Sequence, residues 1–135
     1  MSAMEKQFRR NISSLDDICR FVDEFLTSTD TDESHSFAVN LIIEELFTNM
    51  VKYSPEGSHD IRIQLERLDT QLLISLTDFD VESFDVTQAP PVDINQPVTE
   101  RKIGGLGLHF VREMSDDISY EYKDRTSKIT VTKGV

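Results

Sequence analysis

The chain is short of cations, cysteine, glycine and long apolar runs, and these shortages narrow what it can be. Lys and Arg total 14 against 25 Asp and Glu, a formal net charge of −11. That balance argues against a nucleic-acid partner, whose phosphates need concentrated Lys and Arg, and against docking on an anionic membrane. The single cysteine, Cys19, excludes an internal disulfide and any cysteine-cluster zinc site, and is expected to be a small buried hydrophobe. No run approaches the ~18 apolar residues of a membrane span. Residues 1–11 are too polar for a signal peptide. The expected setting is therefore cytoplasmic and reducing. Hydrophobic residues make up 38% and charged residues 29% of the chain, which excludes a disordered polyelectrolyte. The 135 residues suit one domain, 1–135, with one core.

Hydrophobic periodicity lays out the elements. Residues 8–12 alternate weakly and predict a first strand. Ser13 and Ser14 offer caps for a helix carrying Leu15, Ile18, Val22 and Phe25, with Asp16 and Asp17 placed favourably at its positive end. A second helix is expected over Glu33–Tyr53. Phe37, Ala38, Val39, Leu41, Ile42, Ile43, Leu46, Phe47, Met50 and Val51 surround most of its axis, so it should be largely buried. Ile61, Ile63 and Leu65, then Leu72, Ile74, Leu76 and Asp78, alternate across a tight Asp69–Thr70 link and predict a hairpin. A stretch at about 79–103 holds three prolines and no sustained period, which predicts a lid. Leu108–Met114 reads as a third helix, and Ile118–Tyr122 with Ile129–Lys133 as a closing hairpin. The fold class expected is α+β, with helices on one face of a sheet.

Three features could carry chemistry. Glu45 and Asn49 are one helical turn apart and share a stripe with Ala38 and Ile42. A buried acid and amide need partners. They either bond to backbone, or form a site in which Asn49 offers a neutral oxygen to a hard cation such as Mg²⁺ while Glu45 accepts a proton. Lys52, three residues on, is either a solvated lysine or within reach of a phosphate. Asp78 ends an apolar alternating row; it either caps a turn or accepts from an exocyclic amine such as adenine's. Gly104–Gly105–Leu106–Gly107–Leu108 opens the third helix, where free N–H groups favour anions. The spacing is neither a dinucleotide fingerprint nor a P-loop.

In this order the features are specific. Glu44-Glu45-Leu46-Phe47-Thr48-Asn49, a strand ending at Asp78, a lid, and Ile103-Gly104-Gly105-Leu106-Gly107-Leu108 together resemble the GHKL (Bergerat-fold) ATP-binding domains. The nearest likeness is to the anti-sigma factor serine kinases of bacterial partner-switching systems, and it covers essentially the whole chain. The resemblance implies a single mixed β-sheet with three helices on one face. It implies Glu45 as general base, Asn49 as Mg²⁺ ligand, Asp78 as the adenine acid, and Gly105 and Gly107 with their neighbours Gly104, Leu106 and Leu108 at the phosphates. Ser127 falls near the family's late Thr, which supports the adenine site. ATP and Mg²⁺ are the implied cofactors. The implied activity is phosphorylation of a serine on a STAS-domain anti-anti-sigma protein. A sigma factor is a further candidate partner, and the family implies a homodimer. The alternative is a non-catalytic module that sequesters a partner.

The chain departs from the family at three places. Asp80 stands where the family has glycine two residues after the strand acid, and is expected to crowd the base. Asp124-Arg125-Thr126-Ser127 lacks the glycine expected before the late Thr. Tyr53 replaces a histidine common after the Asn motif. The metal and phosphate half is thus closer to the family pattern than the adenine half.

Overall fold

The structure is a computed structural model describing residues 3–53, 59–81 and 105–135, with the backbone alone at 53 and 105–108. The elements are β1 (Ala3–Phe8), α1 (Leu15–Ser28), α2 (Ser36–Tyr53), β2 (Ile61–Leu68), β3 (Gln71–Phe79), α3 (Gly105–Met114), β4 (Asp117–Lys123) and β5 (Thr126–Gly134). Short 3₁₀ turns at Ile12–Ser14 and Glu33–His35 lead into α1 and α2.

The five strands make one sheet in the order β1-β2-β3-β5-β4. All of its pairings are antiparallel. The α+β class with three helices on one face therefore holds, whereas the expected mixed sheet is antiparallel among the described residues. Two of the pairings are tight hairpins, which admit only the antiparallel sense. The β2–β3 hairpin turns at Asp69 with φ 52°, and the β4–β5 hairpin at Asp124 and Arg125 with φ 51° and 60°. Two consecutive positive φ values are the mark of a primed turn, whose twist matches that of its strands.

One core joins the layers. Phe8, Ile61, Ile63, Leu65, Leu72, Ile74, Leu76, Ile129 and Val131 come from the sheet; α1, α2 and α3 contribute Phe25, Phe47 and Val111 among others. Each fully buried side chain of this size contributes about 1.5–3 kcal/mol. In α2, Ile42, Ile43 and Phe47 are all 0% exposed. Phe37, expected in the buried set, is 73% exposed. It shares a helical stripe with Leu41, Glu44 and Thr48, opposite the core stripe of Val39, Ile42, Ile43 and Leu46.

Three further expectations change at the start of the chain. The first strand lies upstream of residues 8–12 and ends at Phe8. Arg9–Asn11 is a turn, in which Asn11 N donates to Arg9 O at 2.7 Å. Asn11, rather than a serine, makes the side-chain cap, accepting from Ser13 N at 2.8 Å. Ser14 occupies the α1 cap position but donates its hydroxyl to Arg9 O at 2.9 Å. Cys19 is exposed, because the apolar stripe of α1 runs through Ile18, Phe21, Val22, Phe25 and Leu26 and Cys19 lies about 100° round the axis from Ile18.

Candidate functional site

The site is assembled from the C-terminal half of α2, the end of β3, and the turn after β1. Helix α2 is held by its core stripe, and this fixes the adjacent stripe of Glu45, Asn49 and Lys52. Asn49 is 2% exposed. Its Nδ2 donates to Glu45 O at 2.8 Å, which turns its Oδ1 away from the helix. That oxygen is buried and has no partner among the described residues. The nitrogen end of the amide thus bonds to backbone, and the oxygen end is left without a partner among the described residues. Glu45 is half-buried and Lys52 is exposed. Burial, then the charge of Glu44, pushes the Glu45 carboxyl above its ordinary range, and Lys52 partly offsets this.

An orphaned amide oxygen suits a hard cation, which takes oxygen ligands and keeps several waters and phosphate oxygens. No group of three His, Cys, Asp or Glu among the described residues could hold a metal. A cation here would take Asn49 as a protein ligand and keep waters or phosphate oxygens in its shell.

Asp78 continues the helix-facing row of β3 after Leu76 and is 2% exposed. It pairs in register with Ser127 of β5, which is 7% exposed and in turn faces Tyr122 of β4. Asp78 and Ser127 are thus brought together as expected. The carboxylate is not open, however. Arg10, from the turn after β1, places its guanidinium Nη2 on Asp78 Oδ1 as a buried ion pair. Arg10 Nη1 also donates to Met50 O at 3.1 Å. Met50 lies in the last turn of α2, whose carbonyls have no acceptor role within the helix. Arg10 therefore ties the β1–α1 turn, the end of α2 and the end of β3 to one another. Sequence reasoning missed it. The signal was available: a carboxylate in an apolar row needs a counter-charge, and Arg9–Arg10 directly follows the strand.

Asp80 takes the left-handed backbone at φ 54°, the conformation that favours glycine at this place. Its carboxylate accepts from Arg125 Nε at 2.8 Å, which holds the carboxyl below its ordinary range. Asp124 and Arg125, in the stretch that lacks the glycine expected before the late Thr, are left-handed too. Val81 N donates to Arg125 O at 2.9 Å, and Tyr122 Oη donates to Val81 O at 2.8 Å. The segment leaving β3 is thus anchored to the β4–β5 hairpin.

Of the glycine motif, Gly105, Leu106, Gly107 and Leu108 form the first turn of α3, which packs beside α2. Its backbone N–H groups lack intrahelical acceptors. Gly104 lies outside the described residues, as does the expected lid apart from Phe79, Asp80 and Val81. Phe79 closes β3, and its ring lies 5.0 Å from the guanidinium carbon of Arg62. No described helix is long and apolar enough to cross a membrane.

Over 101 residues the chain is 28% identical to the serine-protein kinase RsbW of Listeria monocytogenes, covering 70% of this chain and 63% of that protein. The chain therefore spans less than two thirds of that relative's length. Its fold is similar to that in the crystal structure of the RsbU and RsbW domains of a Mycobacterium tuberculosis protein, with a TM-score of 0.70 at 12% identity, covering 99% of this chain and 32% of the other. It is likewise similar to the SiaB–SiaC complex structure from Pseudomonas aeruginosa, with a TM-score of 0.66 at 16% identity, covering 98% and 88%. The model of the histidine kinase-like ATPase domain matches residues 8–133, and the chain belongs to that family.

Proposed function

We propose that the protein binds ATP and phosphorylates a serine of a STAS-domain anti-anti-sigma protein, as a cytoplasmic regulator in a partner-switching system. The observation that carries this reading is the Glu45–Asn49 pair: a buried amide oxygen without a partner, one helical turn from a half-buried carboxylate. The relationship to a serine-protein kinase over 70% of the chain supports the same reaction. In this reading Asp78 and Ser127 hold the adenine. Asn49 holds Mg²⁺, which when bound neutralises phosphate charge. Lys52 and the backbone of residues 104–108 face the phosphates.

The reaction makes one bond and breaks one. The partner's serine oxygen attacks the γ-phosphorus, the bond to the β-phosphate oxygen breaks, and ADP leaves. Glu45 takes the hydroxyl proton. Its burial raises its basicity toward that task, and positioning and electrostatics supply most of the remainder. A homodimer and a sigma factor as second partner belong to this reading as well.

A second reading has a specific observation in its favour. Asp78 is occupied by Arg10, which suits a non-catalytic module that sequesters its partner. One assay separates them: transfer of labelled phosphate from ATP to a purified STAS-domain protein encoded nearby. The kinase reading expects incorporation that depends on Glu45. Binding of that protein with no incorporation supports the sequestering module.

A further inference from the structure

The base half of the site contains a group to which the proposed function gives no role. Asp78 is the acid that the proposed function assigns to the adenine amine, and Arg10 lies directly on it. Their side chains are only 6% and 3% exposed, so this is no surface pair that solvent would screen. A carboxylate oxygen engaged by a guanidinium at this contact has no room for a second donor in the same direction. The guanidinium also donates through Nη1 to Met50 O at 3.1 Å, so it links Asp78 to the end of α2.

We infer that Arg10 is a built-in competitor of the base for Asp78, so that nucleotide entry displaces the guanidinium and unties the β1–α1 turn from α2 and β3. This rests on the ATP-binding reading above and adds a regulatory contact to it. The turn that would be released is held by local bonds: Asn11 N to Arg9 O at 2.7 Å and Ser14 N to Asn11 O at 3.0 Å, and Ser14 Oγ to Arg9 O at 2.9 Å. Beyond it stands Ile12, 46% exposed, at the entry to α1. Occupancy of the base site is thereby transmitted to a surface formed by a different part of the chain. Asp78 keeps a donor throughout, the guanidinium before entry and the amine after it. This exchange avoids leaving a buried carboxylate bare, which would be strongly destabilising.

The test is a binding titration of the full chain with Mg²⁺ and either ATP or inosine triphosphate, which carries a carbonyl in place of the amine. Wild type is compared with Arg10→Met, which keeps the length of the aliphatic stem, and with Arg10→Lys, which keeps the charge without the fork. Competition predicts that Arg10→Met binds ATP at least about tenfold more tightly than wild type, that Arg10→Lys falls between them, and that inosine triphosphate gains clearly less. Hydrogen exchange at Asn11 and Ser14 should speed up when wild type binds ATP. If Arg10→Met binds ATP no better than wild type, Arg10 is a structural staple and the competitor role is wrong. Equal gains for both nucleotides would also overturn it, since the amine would then be irrelevant. If no form of the protein binds either nucleotide, the ATP-binding reading itself falls and the competitor role falls with it. A melting curve for each variant identifies one that has failed to fold; Arg10→Lys then carries the comparison.

Discussion

The two halves of the site treat their buried polar groups in opposite ways. On α2, Asn49 keeps one end of its amide satisfied by Glu45 O and leaves the other end without a partner. On β3, Asp78 has one carboxylate oxygen, Oδ1, held by Arg10. A buried oxygen without a partner costs free energy unless a ligand supplies one, and in the proposed function the α2 half receives that ligand. In the β3 half the carboxylate already has its counter-charge within the chain, so a donor that takes Asp78 Oδ1 must displace Arg10. The lesson is that a motif residue in the right place differs from a motif residue that is available. Asp80 and Arg125 adopt left-handed backbone and form an ion pair with each other.

Removing the charge from Asp78 should have the largest effect. Asp78→Asn breaks a buried pair from one side and leaves Arg10 facing a neutral amide. The expected loss is about 3–5 kcal/mol of stability, read as a lower denaturant midpoint with an unchanged slope. A loss below 1 kcal/mol would mean that Arg10 is solvated rather than paired, and would erase the contrast between the halves.

Glu45→Gln comes next. Loss of a general base costs ~10²–10⁴-fold in rate, so phosphoryl transfer should fall at least about a hundredfold by the same principle, with ATP affinity almost unchanged. A rate equal to that of wild type removes the role assigned to Glu45. Asn49→Ala should affect binding instead. A contact to a charged group contributes about 1.5–3 kcal/mol, so Mg²⁺-dependent ATP affinity should drop ~10–100-fold, whereas binding measured without Mg²⁺ changes little.

Glu45 also predicts a pH dependence. Its carboxyl is raised above the ordinary range, first by burial and then by Glu44. The folded state therefore holds this proton more tightly than the unfolded chain does. The stability linked to it is fully present below the ordinary carboxyl pKa and is lost as pH rises through the raised one. Glu45→Gln should thus melt higher than wild type at neutral pH and match it in acid. Transfer by wild type should rise through the same raised midpoint, because the base must be ionised. A melting difference that grows toward acid would reverse the sign and exclude burial as the cause.

Asp80→Gly should have the smallest effect. The glycine relieves a left-handed backbone and removes an exposed pair that solvent screens. The two nearly cancel, so the melting temperature should hardly move. ATP affinity should move less than about threefold, under 0.7 kcal/mol, because the Asp80 carboxylate is held by Arg125. A tenfold gain would show that Asp80 does crowd the base.

The sequence by itself determined the element types, the three helices, the two hairpins and the stripe that carries Glu45 and Asn49. Periodicity along one element is a local property: a side chain's face follows from its number and the pitch of the backbone. It also placed Asp78 in the buried row of β3, since alternation through Leu72, Ile74 and Leu76 carries directly to it. Only the tertiary structure decided the strand order, the antiparallel sense across the long connections, and the exposure of Cys19 and Phe37, because each depends on which other elements cover a face. Above all it decided the state of Asp78. Arg10 is 68 residues away from it in the chain, and no local pattern joins the two. They meet because β1 closes one edge of the sheet and its exit turn passes beneath the end of α2. A buried carboxylate without a counter-charge is too costly to leave there.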